Sequence, residues 1–552
     1  MVEEEFLPED LAEGGQQRSN LTAELEKIGI PRESNSESSS HTTDDKLQIN
    51  LGRFVPYLNK FAFRHRGTVQ SESAMELLAM LSRRRVPFKF DQTPQSKDSS
   101  TVSSNVISHQ RQVVPEATVD EAIGIVDQIR RNGWLSTNPD SVDGLPSLHL
   151  NIISSGKRMF EDDQAKRSGG KTTLATCVNE LADLIEGSLR DTLLPRVKEM
   201  TNSSTVEISD VFIRSYGASK SGKGSEETRY GLSAHYDVTA AATCVIALDD
   251  TASSGRNGLY TVIPSEECGS TSHAASRAFF PLARGDGVAH TYATLHGVNV
   301  DPELNRPRTS LIVWFVDSMG EEGSISEDAA AQPWLLDPID DVGEFVLGLA
   351  AESAVSNDGT PSRLKEEVDT IELYISSAAK GNVFAMTALA QKCDDGLIIG
   401  EEYYRKIREV IAKNDEDNPY LPPSADDTGG CEALAVGLWY HAAVHGGHRV
   451  AQACLADEIV LRYVSGRDHA SDEEAEDAML RAACLFALAH GQGDVSAGRS
   501  LERLMDVELE RLSPGSSVGL SEEAVASSPV ARTILNSLEI ERRTSPFHLK
   551  LQ

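Results

Sequence analysis

From Val206 to Val316 the chain alternates apolar and polar residues in short runs, each closed by Gly, Asp, Asn or Ser. A period of two predicts strands, here Val206–Tyr216, Gly231–Val238, Thr243–Asp249, Gly258–Val262, Ala278–Leu282, Val288–Tyr292 and Thr309–Val316. Upstream the period changes. Ala117 to Asn132 reads as an amphipathic helix, with Thr118 or Asp120 near its start, and Leu148–Ile153 as a strand. Thr172 to Met200 reads as one long helix, with Leu174, Val178, Leu181, Leu184 and Ile185 on one face. Many short strands behind a few helices predict a double-stranded β-helix, the jelly-roll type, over residues 116–325.

Beyond residue 340 strand signals vanish and alanine and leucine dominate. Three segments share one spacing: Gly381-Asn-x-x-Ala385-x-x-x-Leu389, Gly447-His-x-x-Ala451-x-x-x-Leu455 and Gly493-Asp-x-x-Ala497-x-x-x-Leu501. Each follows an alanine-rich helix end. Small residues there let two helices close around a glycine turn, as a helical solenoid requires. The array over residues 340–510 resembles Sel1-like repeats, relatives of the tetratricopeptide family; an ordinary helical bundle is the other reading. The chain is thus multidomain α+β, a double-stranded β-helix domain followed by an α-helical repeat domain. Residues 511–552 read as a tail. Residues 1 to about 45 are acidic and rich in Ser, Gly and Gln, 46–90 read as more structured with a short helical segment at Ser73–Ser82, and 92–113 reads as a linker, so that 1–115 is expected to be largely without fixed structure.

Composition narrows the partners. The 552 residues carry a net charge of -33, which disfavours nucleic acid and an anionic membrane surface. The seven cysteines include no C-x-x-C pair, so scattered reduced thiols are expected. The acidic start Met-Val-Glu-Glu-Glu-Phe has no apolar segment, and no run reaches membrane-span length. A soluble cytoplasmic protein is the expectation, and Asn20-Leu-Thr22 and Asn202-Ser-Ser204 are read as chance sequons.

Against this background one set of residues carries chemistry. On a strand His235 and Asp237 share a face, and His296 follows several strands later. Two imidazoles and one carboxylate leave three octahedral positions open, which suits non-haem Fe(II). His290, and less so His273, are alternative third ligands. Arg308 and Ser310 then share a face of the last strand, where a guanidinium fork and a hydroxyl can grip a carboxylate. The alternative for Arg308 is a strand-start arginine in solvent.

These residues, with Phe212-Ile-Arg-Ser-Tyr216 before His235-Tyr-Asp237 and Leu295-His296-Gly297 before Arg308-x-Ser310, resemble the 2-oxoglutarate- and Fe(II)-dependent dioxygenases of the prolyl 4-hydroxylase type. The resemblance covers about residues 205–318. It implies that His235, Asp237 and His296 are the iron ligands and catalytic set, and that Arg308 binds 2-oxoglutarate, with Tyr216 and Tyr230 as further candidates. It also implies ascorbate as the reductant that restores the iron, and hydroxylation of a protein or peptide side chain, prolyl included. Departures are an inserted run Ser219–Glu227, and arginine at 308 where many prolyl hydroxylases have lysine. The helical repeats are then expected to receive the protein substrate. Two other readings remain: a repeat-based interaction scaffold with a remnant barrel, and a cupin-type metal enzyme without 2-oxoglutarate.

Overall fold

The computed structural model describes residues 51–82, 85–90, 106–140, 142, 146–160, 173–217, 229–262, 277–301, 307–317, 340–353, 368–414, 418–421, 431–464, 471–512 and 527–544. Residues 1–50, the linker portion 91–105, the insertion Ser219–Glu227 and His273 lie outside them. The chain divides into two compact units, one of Arg85–Ile263 with Arg277–Ser377, the other of Met1–Arg84, Pro264–Ser276 and Ala378–Gln552.

The first unit is built on two sheets. Its strands are β1 Val86–Pro87, β2 Ile107–Gln110, β3 Ser136–Pro139, β4 Pro146–Ser154, β5 Lys157–Arg158 and β6 Val206–Tyr216. There follow β7 Gly231–His235, β8 Ala242–Ala247, β9 Gly258–Val262, β10 Arg277–Phe279, β11 Gly287–Thr291, β12 His296–Asn299 and β13 Arg308–Asp317. The larger sheet runs β2-β11-β8-β13-β6-β4-β3 with β5 on β4, and the smaller runs β1-β10-β9-β12-β7. Every pairing is antiparallel except β1 with β10.

The larger sheet is covered on both faces, and the two-residue period sorts its side chains. Cys244 and Ile246 of β8, with Leu311, Val313 and Phe315 of β13, pack against Val126 and Ile129 of helix Glu116–Arg131 and Leu181 and Ile185 of helix Leu174–Ser188. The alternate residues Val245, Ala247 and Ile312 face Leu259 and Val298 of the smaller sheet. Burying these apolar faces is the main stabilising term, at roughly 25 cal/mol per Å².

The strand predictions over 206–316 are matched to within a few residues, with one omission. Strand β12 has only four residues, two of them Gly and Asn, so local propensity is silent. It exists because β7 and β9 pair with it on either side. The single helix predicted over Thr172–Met200 is broken into Leu174–Ser188, a π turn Leu189–Leu193 and Leu194–Thr201. Pro195 is the reason: it lacks the N–H that would continue the helical ladder. Strand β2 forms within the stretch read as a linker, pairing with β11 from Ile107 to Gln110. The unit also extends past residue 340, where helix Asp341–Ser353 rests Phe345 edge-on against Tyr236 at 6.0 Å.

The second unit is helical. Where one short segment is expected before residue 115, two helices form, Leu51–Arg64 and Val69–Ser82. They join helices hundreds of residues away: Arg66 Nε donates to Asp477 at 3.0 Å, Gln452 Nε2 to Asn59 at 2.8 Å and Arg532 Nε to Glu72 at 2.7 Å. The three repeated glycines all sit between helices with positive φ, +97° at Gly381, +64° at Gly447 and +90° at Gly493. The alanine and leucine that follow each of them, Ala385 and Leu389, Ala451 and Leu455, Ala497 and Leu501, are buried. Asn382 caps the helix after the first turn, accepting from the amides of Phe384 and Ala385. No described helix is long and apolar enough to cross a membrane, and the six described cysteines are free thiols.

A Cβ at Gly381 or Gly493 meets no atom within 4 Å, whereas one at Gly447 would lie 2.7 Å from Asn59 Nδ2. Gly493→Ala and Gly381→Ala should each cost about 1 kcal/mol, from the left-handed backbone alone. Gly447→Ala should cost more, because the Asn59–Gln452 contact must also move. Urea denaturation of the full chain, followed by helical circular dichroism, orders the three.

Candidate metal centre

The tight step in the first unit is the approach of β12 to β7. Their antiparallel register sets His296 directly opposite His235, and on its other side His296 faces Thr261 of β9. The strand predicted to run to Val238 stops at His235, so Asp237 stands just beyond it rather than within it. Its carboxylate nevertheless returns to the same point. Asp237 Oδ1 lies 3.6 Å from His235 Nε2, and Oδ2 lies 3.5 Å from His296 Nε2. One ligand atom from each of the three residues falls within 4.8 Å of the others, the potential metal site among the described residues.

The protonation pattern fits a metal ligand set. His235 Nδ1 donates to the Ser233 carbonyl at 2.8 Å, and His296 Nδ1 to the Thr294 carbonyl at 3.0 Å. Fixing the proton on Nδ1 leaves Nε2 of each ring as a bare lone pair facing Asp237. Thr243 of β8 donates its hydroxyl to Asp237 Oδ2 at 2.6 Å, which fixes the carboxylate plane. Burial opposes a charge on Asp237, but the imidazoles of His296 and His235 outweigh it and hold the carboxyl well below the usual range. Burial, helped by neighbouring His290, pushes His296 down to about 3, so that ring is neutral. For His235 burial also favours the neutral ring, but its hydrogen bond to Asp237 prevails and raises the pKa.

A second feature lies between the sheets. Arg308 opens β13 and is 1% exposed, not the solvent arginine of the bland reading. Its Nε, NH1 and NH2 atoms have no hydrogen-bond partner among the described residues, and neither does Ser310 Oγ. Burial lowers the Arg308 pKa from its ordinary value, opposed by the nearby Asp249 charge. Asp249 does not satisfy the guanidinium, since its carboxylate is taken by the Thr251 and Thr309 amides. Leaving a fully buried cation unpaired costs several kcal/mol, which an anion seated beside it would offset. Gly258 of β9 makes the room. A Cβ there would lie 2.2 Å from Arg308 NH1, and its φ of +95° favours glycine. The guanidinium thus reaches from the larger sheet to the smaller.

Of the two tyrosines considered, Tyr216 is the register partner of Arg308 across β6 and β13 and is buried, its phenol pKa raised by that burial. Tyr230 lies just before β7, where its carbonyl accepts from the Val300 amide. His290 does not enter the compact triad, although its ring centroid is 4.2 Å from that of His296. Thr243 and Gly258 were not singled out from sequence. Neither residue type signals a site by itself, and both acquire a role only through partners brought by pairing.

No protein-family model matches the chain, and no curated protein matches it. Solved structures do. A non-haem alpha ketoglutarate dependent epimerase, SnoN from nogalamycin biosynthesis, aligns at 15% identity over 45% of this chain and 83% of that chain, with a TM-score of 0.27. A Pseudomonas putida prolyl-4-hydroxylase aligns at 14% identity over 38% and 91%, TM-score 0.23. The viral collagen prolyl hydroxylase of Paramecium Bursaria Chlorella virus-1, in its 2OG complex, aligns at 13% identity over 38% and 94%, TM-score 0.22. At such identities and scores the likeness adds no weight, and the functional reading rests on the site itself.

Thr243→Val removes one hydrogen bond to a ligand without touching the other two residues. It should weaken Co(II) affinity about tenfold, while Asp237→Ala should lose uptake altogether; calorimetric titration of the metal measures both. Gly258→Ala should displace Arg308 and leave Co(II) binding intact. A Gly258→Ala protein that also loses Co(II) would show that the two features are not separable.

Proposed function

We propose that the chain is a 2-oxoglutarate- and Fe(II)-dependent dioxygenase, its strands β6 to β13 forming a double-stranded β-helix around the site. Two features support this reading: a His, Asp, His set at the ends of β7 and β12, and a partnerless buried guanidinium that packs from β13 against Gly258 of β9. A zinc site would more often use a closed tetrahedral His and Cys set, and a cupin-type enzyme has no need of a buried, unpaired arginine.

In this role His235 and His296 offer Nε2 and Asp237 offers carboxylate oxygen to the ferrous ion. Arg308 and Ser310 bind the far carboxylate of 2-oxoglutarate, the guanidinium through its fork and the hydroxyl through one further bond. When bound, Fe(II) and 2-oxoglutarate supply the oxidising power to place one atom of dioxygen on a C–H bond. The protein contributes orientation and dryness. Thr243 holds the Asp237 carboxylate, the Ser233 and Thr294 carbonyls hold the imidazole planes, and burial keeps water from the anion site.

The substrate is proposed to be a protein or peptide side chain, with proline one option. The helical unit would serve as its platform, since glycine-turned helix pairs present extended surfaces. Ascorbate is proposed as the reductant that returns iron to the ferrous state.

The decisive experiment uses the full chain under anaerobic conditions. Adding Fe(II) and 2-oxoglutarate should give a weak visible charge-transfer band. His235→Ala should abolish it, and Arg308→Ala should demand at least tenfold more 2-oxoglutarate for half the signal, as expected for loss of about 1.4 kcal/mol or more from a charged pair. No band in the wild type, with tight peptide binding by the helical unit, would return the scaffold reading.

A further inference from the structure

The triad does not use every imidazole it gathers. His290, on β11, is fully buried and packs its ring against that of His296, with centroids 4.2 Å apart and planes tilted by 50°. Its Nδ1 lies 3.2 Å from the Thr291 carbonyl. This repeats the arrangement of His235 and His296, in which a main-chain carbonyl takes the Nδ1 proton and leaves Nε2 bare. In the two ligands that lone pair points at the shared carboxylate. In His290 it has no partner among the described residues.

Position ties His290 to the same centre. Its register partner across β8 is Thr243, the residue whose hydroxyl holds Asp237. His290 is therefore one cross-strand step from the carboxylate ligand and one ring contact from an imidazole ligand. It is not part of the set whose ligand atoms fall within 4.8 Å of one another. A bare acceptor in a dry interior is unfavourable unless a donor meets it. The described protein groups supply none, which leaves this acceptor open to a donor brought by what the site binds.

We propose that His290 is a positioning residue: its Nε2 accepts a hydrogen bond from a water ligand of the metal and holds that water at the protein's open coordination face. The inference rests on the metal reading above. It assigns a neutral imidazole to water placement, beside the three residues that hold the ion. The anchored water would leave when an acid ligand displaces it.

Co(II) is the probe, because its visible absorption is weak when six-coordinate and stronger at lower coordination number. Two variants separate shape from hydrogen bonding. His290→Phe keeps a ring and removes the acceptor, whereas His290→Gln restores an acceptor oxygen. The Phe variant should still take one Co(II) per chain, with stronger visible absorption and about tenfold weaker affinity, and the Gln variant should return both toward wild type. Unchanged spectrum and affinity in His290→Phe would overturn the proposal. So would loss of all Co(II), since His290 would then be a ligand in its own right. Failure of the wild-type protein to take Co(II) would instead remove the metal reading beneath it. Should His290→Phe not fold, a crystal structure of the Co(II)-loaded wild-type chain decides. A water bridging the ion and Nε2 supports the assignment, and Nε2 bonded to a protein group or to the ion itself overturns it.

Discussion

The site depends on one register. His296 is useful only because β12 pairs with β7 so that it stands opposite His235. A slip of one residue would turn every side chain of β12 to the other face of the sheet and carry the imidazole out of the centre. Four residues are too few to hold that register alone. The strand is clamped instead between β7 and β9, with Gly297 allowing the Tyr260 hydroxyl and the Leu232 carbonyl to lie against it, where a Cβ would meet them at 2.5 and 2.8 Å. The facing of the two imidazoles is thus a property of three strands in lateral contact, and Asp237 joins them from just beyond β7.

Around this register the unit tolerates charge in places that apolar packing would normally forbid. Asp237 is ionised because two imidazoles and a threonine hydroxyl surround it. Arg308 is buried without such company, and Gly258 gives up a side chain to admit it. The two features differ in kind. The Asp237 carboxylate accepts the Thr243 hydroxyl and lies 3.6 and 3.5 Å from the two Nε2 atoms. The guanidinium is unsatisfied among the described residues, an electrostatic cost the surrounding sheets carry. The stable frame for this is the pair of cores on either face of the larger sheet.

The helical unit follows a different rule. Its fold is punctuated by glycines whose φ no other residue adopts easily, each followed by small buried side chains that let the next helix close. Local chemistry therefore specifies much of it. The exception is at its start, where helices Leu51–Arg64 and Val69–Ser82 are held by Asp477, Gln452 and Arg532. Such contacts between distant segments leave no trace in local periodicity.

The sequence by itself determined the strand pattern from Val206 onward, the glycine turns of the helical half, and the residue types His235, Asp237, His296 and Arg308, because side-chain period and backbone preference are local properties. Tertiary structure alone decided that Asp237 leaves its strand yet rejoins the imidazoles, that β12 exists, and that Arg308 is buried without a partner among the described residues. It also gave Thr243, Gly258 and His290 their meaning. Those outcomes depend on which strands become neighbours, and neighbourhood is set by long-range pairing and burial, which no short window of residues encodes.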